Sequence, residues 1–187
     1  VDASLPLGVC HVVEPRRGGC LVVVLALEHC IDESILGPEQ LGDVVGQPML
    51  AHKAMEEGVM IAELMAGQAG HCNFDTIPWV IYTEPELAWV GQTEAQIKGS
   101  GVAYKTGSFP FAAIGRAVAM NETAGHVKII ADAETDRVLG VHMVGPWVTE
   151  QLSGGYLAVN WEATVAEVAE YIQPHPSLTE LFGETVL

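Results

Sequence analysis

Two neighbouring apolar stretches constrain the fold of this chain more than any other feature. The stretch "GHVKIIAD" covers residues 125–132, and "RVLGVHMVG" covers residues 137–145. Leu139, Val141 and Met143 alternate with smaller or polar residues, as they do in a strand that buries only one face. Only the four residues "AETD" separate the two stretches. The pair therefore predicts a β-hairpin, and with it an antiparallel sheet.

Helical signals flank this hairpin on both sides. Thr93 is followed by Gln96, and Thr164 by Glu167, which is the spacing of a helix-capping box in each case. Strands that cluster before a run of helices are typical of the α+β class, with an antiparallel sheet and helices packed on one face. The full predicted order is helix 48–67, strand 77–84, helix 93–101, strand 102–111, the hairpin, helix 147–161, helix 164–172 and a last helix that begins at Pro176.

The first of these helices carries many apolar side chains. Its pattern predicts a broad buried face, and Gly67 is a plausible stop. The residues predicted to be buried are Met55, Val59, Ile61, Ala62, Leu64 and Met65.

Composition excludes several classes of function. The 187 residues correspond to one domain, or to one domain and part of another. With 24 acidic and 8 basic residues the net charge is −16, which argues against binding to nucleic acid or to an anionic membrane.

The longest apolar run, residues 20–30, is too short to span a bilayer, and residues 1–8 do not resemble a signal peptide. The four cysteines have no zinc-ligand spacing, so we predict no metal site and expect a reducing cytoplasm.

The stretch "HPSLTELF" near the C-terminus allows two interpretations. Pro176 suits the first position of a helix, so the segment could be helix punctuation alone. Alternatively, the imidazole of His175 and the carboxylate of Glu180, about one helical turn further on, have a functional role.

Several segments in register resemble one family. They resemble the C-terminal interface domain of dihydrolipoamide dehydrogenase, an FAD-dependent pyridine nucleotide–disulfide oxidoreductase, and the segment just before that domain. The matching segments are "LGDVVGQPMLAHKAMEEG" (41–58), "IPWVIYTEPELAWVG" (77–91), "FPFAAIGRA" (109–117), "TDRVLGVHMVGP" (135–146) and "HPSLTELF" (175–182).

The resemblance implies roles for individual residues. His175 matches the family's acid–base histidine, and Glu180 matches the acid that hydrogen-bonds it; in the family they act on the redox disulfide and flavin of the other subunit. The FAD-binding positions that it implies are Asp43, at the ribityl chain, and Met49, Leu50 and Ala51, whose backbone passes the isoalloxazine ring.

The resemblance also implies the cofactors and partners of the parent enzyme. These are FAD, NAD, a second identical subunit and a lipoylated acyltransferase. The sequence, however, contains no G-x-G-x-x-G turn and no C-x-x-x-x-C redox pair. We therefore expect this chain alone to bind little or no FAD and to be inactive. The alternative is a stand-alone, non-catalytic dimerisation or interaction module.

Three regions follow from this comparison. Residues 1–40 form an atypical segment that could be foreign or rearranged, 41–70 are a remnant of the FAD domain with its helix, and 71–187 are the interface domain. One local departure from the family is Glu162, which occupies a position often held by glycine between two helices.

Overall fold

The computed structural model describes residues 41–187, and the predictions for residues 1–40 lie outside them. The chain divides into two compact units, one that ends at Ala66 and one that runs from Gly67 to Leu187. Within residues 41–187, no helix combines the length and the hydropathy that a bilayer crossing requires.

The smaller unit contains a short 3-10 turn, Gly42–Val45, and helix α1, Ala51–Met65. The predicted apolar face of α1 is confirmed only at Ile61, because Met55, Val59, Ala62, Leu64 and Met65 are exposed. The buried positions are Lys53, Glu57 and Ile61, spaced four residues apart along one stripe. Lys53 and Glu57 tolerate burial because their charged groups bond to each other, with Nζ and Oε1 2.7 Å apart.

The larger unit is built on a five-stranded sheet. Its strands are β1 Trp79–Ile81, β2 Glu86–Gly91, β3 Tyr104–Pro110, β4 His126–Asp132 and β5 Val138–Gly145. They lie in the order β1-β2-β5-β4-β3, and every neighbouring pair is antiparallel. The predicted hairpin is β4 and β5, with Ile129 opposite Val141. The α+β class and the antiparallel sheet are therefore confirmed. Strand β2 was not predicted.

Five helices accompany the sheet. They are α2 Glu94–Ser100, α3 Gly115–Met120, α4 Val148–Asn160, α5 Val165–Ala169 and α6 Glu180–Glu184. Short 3-10 turns lie at Phe74–Thr76 and Phe111–Ala113. Both predicted capping boxes are present, at the N-termini of α2 and α5.

The main core lies between one face of the sheet and helices α4, α5 and α6. It contains Val90 of β2, Val127 and Ile129 of β4, and Val141 and Met143 of β5, all at most 5% exposed. The core side chains of the three helices are Val148, Leu152, Ala158, Val168, Leu181 and Phe182.

Helix α2 is associated with the opposite face of the sheet. Lys128 follows Val127 in β4, so its side chain points away from the main core. Its ammonium group is bonded to Glu94 in the first turn of α2. The main helices thus share one face, as predicted, while this short helix is attached to the other.

Candidate active site

The segment "HPSLTELF" is anchored by its apolar residues. Leu181 and Phe182 are buried in the main core, and Leu178 packs against it. Helix α6 begins at Glu180. The predicted helix start at Pro176 is therefore wrong: the Ser177 amide bonds to a side chain, and the first turn is closed by Leu181 N–H donating to the Leu178 carbonyl. Glu180 is thus fixed at the start of a helix whose next two residues are immobilised in the core.

Glu180 uses both carboxylate oxygens. Its Oε1 lies 2.6 Å from Nδ1 of His175, within the range expected for a hydrogen-bonded acid–base pair. Its Oε2 accepts a hydrogen bond from the backbone N–H of Ser177 at 2.8 Å. Ser177 and Thr179 are linked through their hydroxyl groups, 2.8 Å apart. The carboxylate is therefore oriented from one side by the backbone and presented to the imidazole from the other.

The environment of Glu180 keeps its side chain ionised at neutral pH. The hydrogen bond from His175 lowers the pKa of the Glu180 carboxyl, and the Ser177 N–H lowers it further. An ionised carboxylate can only accept hydrogen bonds, so Nδ1 of His175 must carry a hydrogen. In the neutral ring this leaves the lone pair on Nε2 available as a base. The His175 side chain is 78% exposed, whereas that of Glu180 is only 18% exposed.

Sequence reasoning missed Ser177 as part of this site. The signal was present, because Ser177 and Glu180 have the S-x-x-E spacing of a capping box. Only one half of that box forms, since the carboxylate accepts from the backbone while the Ser177 hydroxyl bonds to Thr179.

The four positions assigned to the flavin lie in the smaller unit. Asp43 is in the 3-10 turn with its side chain exposed, and Met49, Leu50 and Ala51 lead into α1. Leu50 is the N-cap of α1 but makes no side-chain capping bond, and the first turn contains no acidic residue.

These features fit one part of a flavin. An uncapped N-terminus of a 15-residue helix suits the polar edge of the ring, and an exposed carboxylate suits the ribityl hydroxyls. The sequence contains no G-x-G-x-x-G turn of the kind that holds a pyrophosphate at a helix N-terminus.

A second histidine, His142, lies in the sheet of the larger unit. His142 is partly buried in β5, and its Nε2 lies 3.1 Å from the Gln92 carbonyl oxygen. Burial lowers the pKa of its imidazole. Among residues 41–187, no group of three or more His, Cys, Asp or Glu side chains has a geometry that could hold a metal ion.

Comparison with known proteins identifies the larger unit. Residues 77–186 match the family described as the pyridine nucleotide-disulphide oxidoreductase dimerisation domain. The chain is 46% identical over 160 residues to dihydrolipoyl dehydrogenase of Cupriavidus necator, covering 86% of this chain and 34% of that protein. It is 48% identical over 147 residues to the human mitochondrial dihydrolipoyl dehydrogenase, covering 79% of this chain and 29% of that protein.

Solved structures agree with these relatives. LpdA from Mycobacterium tuberculosis superimposes with a TM-score of 0.72 at 30% identity, over 78% of this chain and 32% of that chain. RclA, the HOCl-induced flavoprotein disulfide reductase of Escherichia coli, gives 0.72 at 26% identity, over 78% and 34% of the two chains. The chain thus spans about a third of the length of the relatives that it matches. It belongs to the family of pyridine nucleotide-disulphide oxidoreductase dimerisation domains, and within that family it is similar to the dihydrolipoyl dehydrogenases.

Proposed function

We propose that this chain is the part of a dihydrolipoyl dehydrogenase-like flavoenzyme that joins the two subunits, and that it supplies an acid–base pair to the redox centre of the other subunit. The observation that carries the proposal is the geometry of His175: Nδ1 is held by Glu180 at 2.6 Å while the ring stands exposed at the surface. A histidine kept for packing alone would bury its ring, and one kept for helix punctuation would not need an oriented carboxylate.

The reaction explains the choice of residues. A dithiol must lose a proton before its sulfur can attack a disulfide, because the thiolate is the nucleophile. In our proposal Nε2 of His175 takes that proton from dihydrolipoamide, and the resulting imidazolium is stabilised by Glu180 through Nδ1–H. The flavin and nicotinamide held by the rest of the enzyme carry the electrons onward. His175 releases the proton to solvent when the cycle closes, because oxidation of a dithiol by NAD yields a disulfide, NADH and one proton.

The proposal includes a homodimer. A pair that serves another subunit needs a stable contact between subunits, and the larger unit exposes aromatic and apolar side chains suited to one. Trp161 is 72% exposed and Ile172 is 90% exposed, and Trp147, Leu157 and Tyr171 are also at the surface. Sedimentation at micromolar concentration should show a dimer, and a clean monomer would contradict this part of the proposal.

The cofactor and partner assignments follow from the same proposal. The complete enzyme uses FAD and NAD and receives its dithiol from a lipoylated acyltransferase. This chain by itself binds FAD weakly or not at all, because its residues fit only the ring and ribityl part of the flavin. A purified sample with a stoichiometric bound-flavin spectrum would contradict that expectation.

One observation favours a second candidate function. The sequence has neither the dinucleotide-binding turn nor the redox disulfide, so the isolated chain cannot move electrons. It could act as a non-catalytic dimerisation module that pairs with itself or with a full-length relative.

A hybrid enzyme tests the catalytic proposal. Residues 41–187 are joined to the FAD and NAD domains of the Cupriavidus necator enzyme, and lipoamide turnover is measured. In that hybrid His175→Gln should lower kcat by about two to four orders of magnitude, the usual contribution of a positioned acid–base group. Glu180→Gln should lower it less, because it orients the ring rather than transferring the proton.

The control is His126→Gln, which changes an exposed histidine of β4 outside the pair. It should leave turnover unchanged. Full activity in the His175→Gln hybrid would instead favour the non-catalytic module.

A further inference from the structure

We propose that Lys53 and Glu57 are positioning residues that hold Asp43 in place by clamping the backbone of Gly42. The inference rests on the proposed function, since it concerns the residue assigned to the flavin's ribityl chain. It concerns a pair of charged side chains to which the sequence assigned no role.

The two side chains bond to both polar groups of one residue. The Gly42 N–H donates to Oε2 of Glu57 at 2.5 Å, and the Gly42 carbonyl oxygen accepts from Nζ of Lys53 at 3.4 Å. Nζ of Lys53 is in turn 2.7 Å from Oε1 of Glu57. The three contacts close a ring through the Gly42 N–H, the Glu57 carboxylate, the Lys53 ammonium group and the Gly42 carbonyl.

The position of Gly42 is also defined by packing and by its backbone. A side chain at Gly42 would begin 3.2 Å from Cβ of Ala54, so the backbone lies directly against α1. Its φ of +76° lies in the region that favours glycine. The clamp therefore holds a residue that has little freedom to move away from the helix.

The burial of Lys53 and Glu57 distinguishes them from an ordinary ion pair on a helix surface. The side chains of Lys53 and Glu57 are each only 3% exposed. Moving two charges out of water costs more than their mutual attraction returns unless further hydrogen bonds complete the arrangement. Here the completing bonds go to the residue that immediately precedes Asp43.

The consequence for Asp43 is geometric. The Gly42 carbonyl and the Asp43 N–H belong to the same planar peptide unit, so Lys53 sets the orientation of that plane. Glu57 sets the preceding plane. With both planes fixed against α1, the exposed Asp43 side chain leaves the backbone in a defined direction relative to the start of that helix.

Two measurements test the clamp. In the 187-residue chain, Glu57→Gln should speed amide hydrogen exchange at Gly42 by about 10- to 100-fold, the effect of losing a hydrogen bond to a charged group. Glu57→Asp, which keeps the charge but withdraws it by one CH2, should act in the same direction, so the test does not depend on one variant folding. Glu56→Gln, at an exposed neighbour on α1, is the matched control and should change nothing. Unchanged exchange at Gly42 in both Glu57 variants would overturn the inference.

The second measurement is FAD affinity in the hybrid enzyme, read from flavin fluorescence after removal and return of the cofactor. Asp43→Asn and Glu57→Gln should each weaken FAD by about 10- to 100-fold. The double variant should be little worse than either single variant, because Glu57 acts through Asp43. Additive losses would show that Glu57 only stabilises the helix, and would overturn the inference. If Asp43→Asn leaves FAD affinity unchanged, the flavin role of Asp43 fails and the inference falls with it, whatever the exchange rates show.

Discussion

Two adjacent glycines in α4 are expected to respond in opposite ways to the same substitution. A Cβ at Gly155 would lie 2.9 Å from Cγ1 and 3.1 Å from Cβ of Val141, a fully buried residue of β5. A Cβ at Gly154 would meet only the ring of Phe182, with Cδ1 at 3.7 Å and Cε1 at 3.9 Å, which are ordinary contact distances. Of the two positions, Gly155 is therefore the one at which α4 lies closer to the sheet.

Two opposing effects determine how much each substitution changes the free energy of unfolding. Alanine in a helix interior is favoured over glycine by about 1 kcal/mol, and both variants gain this term. Overpacking at Gly155 costs about 1–3 kcal/mol, because the χ1 angle of the β-branched Val141 is restricted and its side chain cannot rotate away from the added methyl group. Gly154→Ala should thus raise the free energy of unfolding by about 1 kcal/mol. Gly155→Ala should be neutral or lower it by up to about 2 kcal/mol.

The assay is thermal and urea unfolding followed by circular dichroism. The difference of about 1–3 kcal/mol between the variants corresponds to roughly 2–12 °C in Tm for a chain of this size. Combining Gly155→Ala with Val141→Ala removes Cγ1 and Cγ2 and leaves only the 3.1 Å approach to Cβ, so Gly155→Ala should destabilise less in the Val141→Ala background than in the unaltered chain. Equal stabilities of the two single variants would refute the reasoning.

Two further predictions concern charge and backbone strain. Hydrogen bonds from Lys128 and then Lys98 lower the pKa of the Glu94 carboxyl to about 2. Because this folded-state pKa lies below the usual 4.5, stability should be lost as pH falls from about 4.5 to 2, and Glu94→Gln should flatten that dependence in acid-unfolding curves. Glu162 has a φ of +59°, which costs a residue other than glycine about 1–2 kcal/mol. After the loss of its exposed ion pair with Arg137, Glu162→Gly should still raise the free energy of urea unfolding by about 0.5–1 kcal/mol, and Glu162→Ala should not.

Local chemistry made part of this structure predictable. Thr93 with Gln96 and Thr164 with Glu167 form capping boxes whose bonds join residues only three apart. The hairpin of β4 and β5 was likewise visible, because four residues connect its two alternating stretches. His175 and Glu180 were identified from a motif of eight residues, and their hydrogen bond joins residues only five apart.

The errors concern features that depend on distant partners or on misleading residue types. Strand β2 pairs on one side with the neighbouring β1 and on the other with β5, more than 40 residues later. Its segment begins with Glu86 directly after Pro85, and these residue types obscured the strand pattern. On α1, burial of Lys53 and Glu57 depends on the backbone of Gly42, which no hydrophobic pattern can show. Helix α6 begins later than predicted, at Glu180, whose side chain accepts from the Ser177 N–H just before the helix.

The central claim is that His175 serves the redox centre of the other subunit, and mixed dimers test it most directly. One hybrid subunit carries His175→Gln and an intact redox disulfide, while the other keeps His175 but has both redox cysteines replaced by serine. Differently tagged subunits are co-expressed, and the heterodimer is purified. If the pair acts between subunits, one of the two sites is complete, and the heterodimer should turn over lipoamide at about half the rate of the unaltered dimer. A heterodimer as inactive as either parent, with FAD bound normally, would contradict the account.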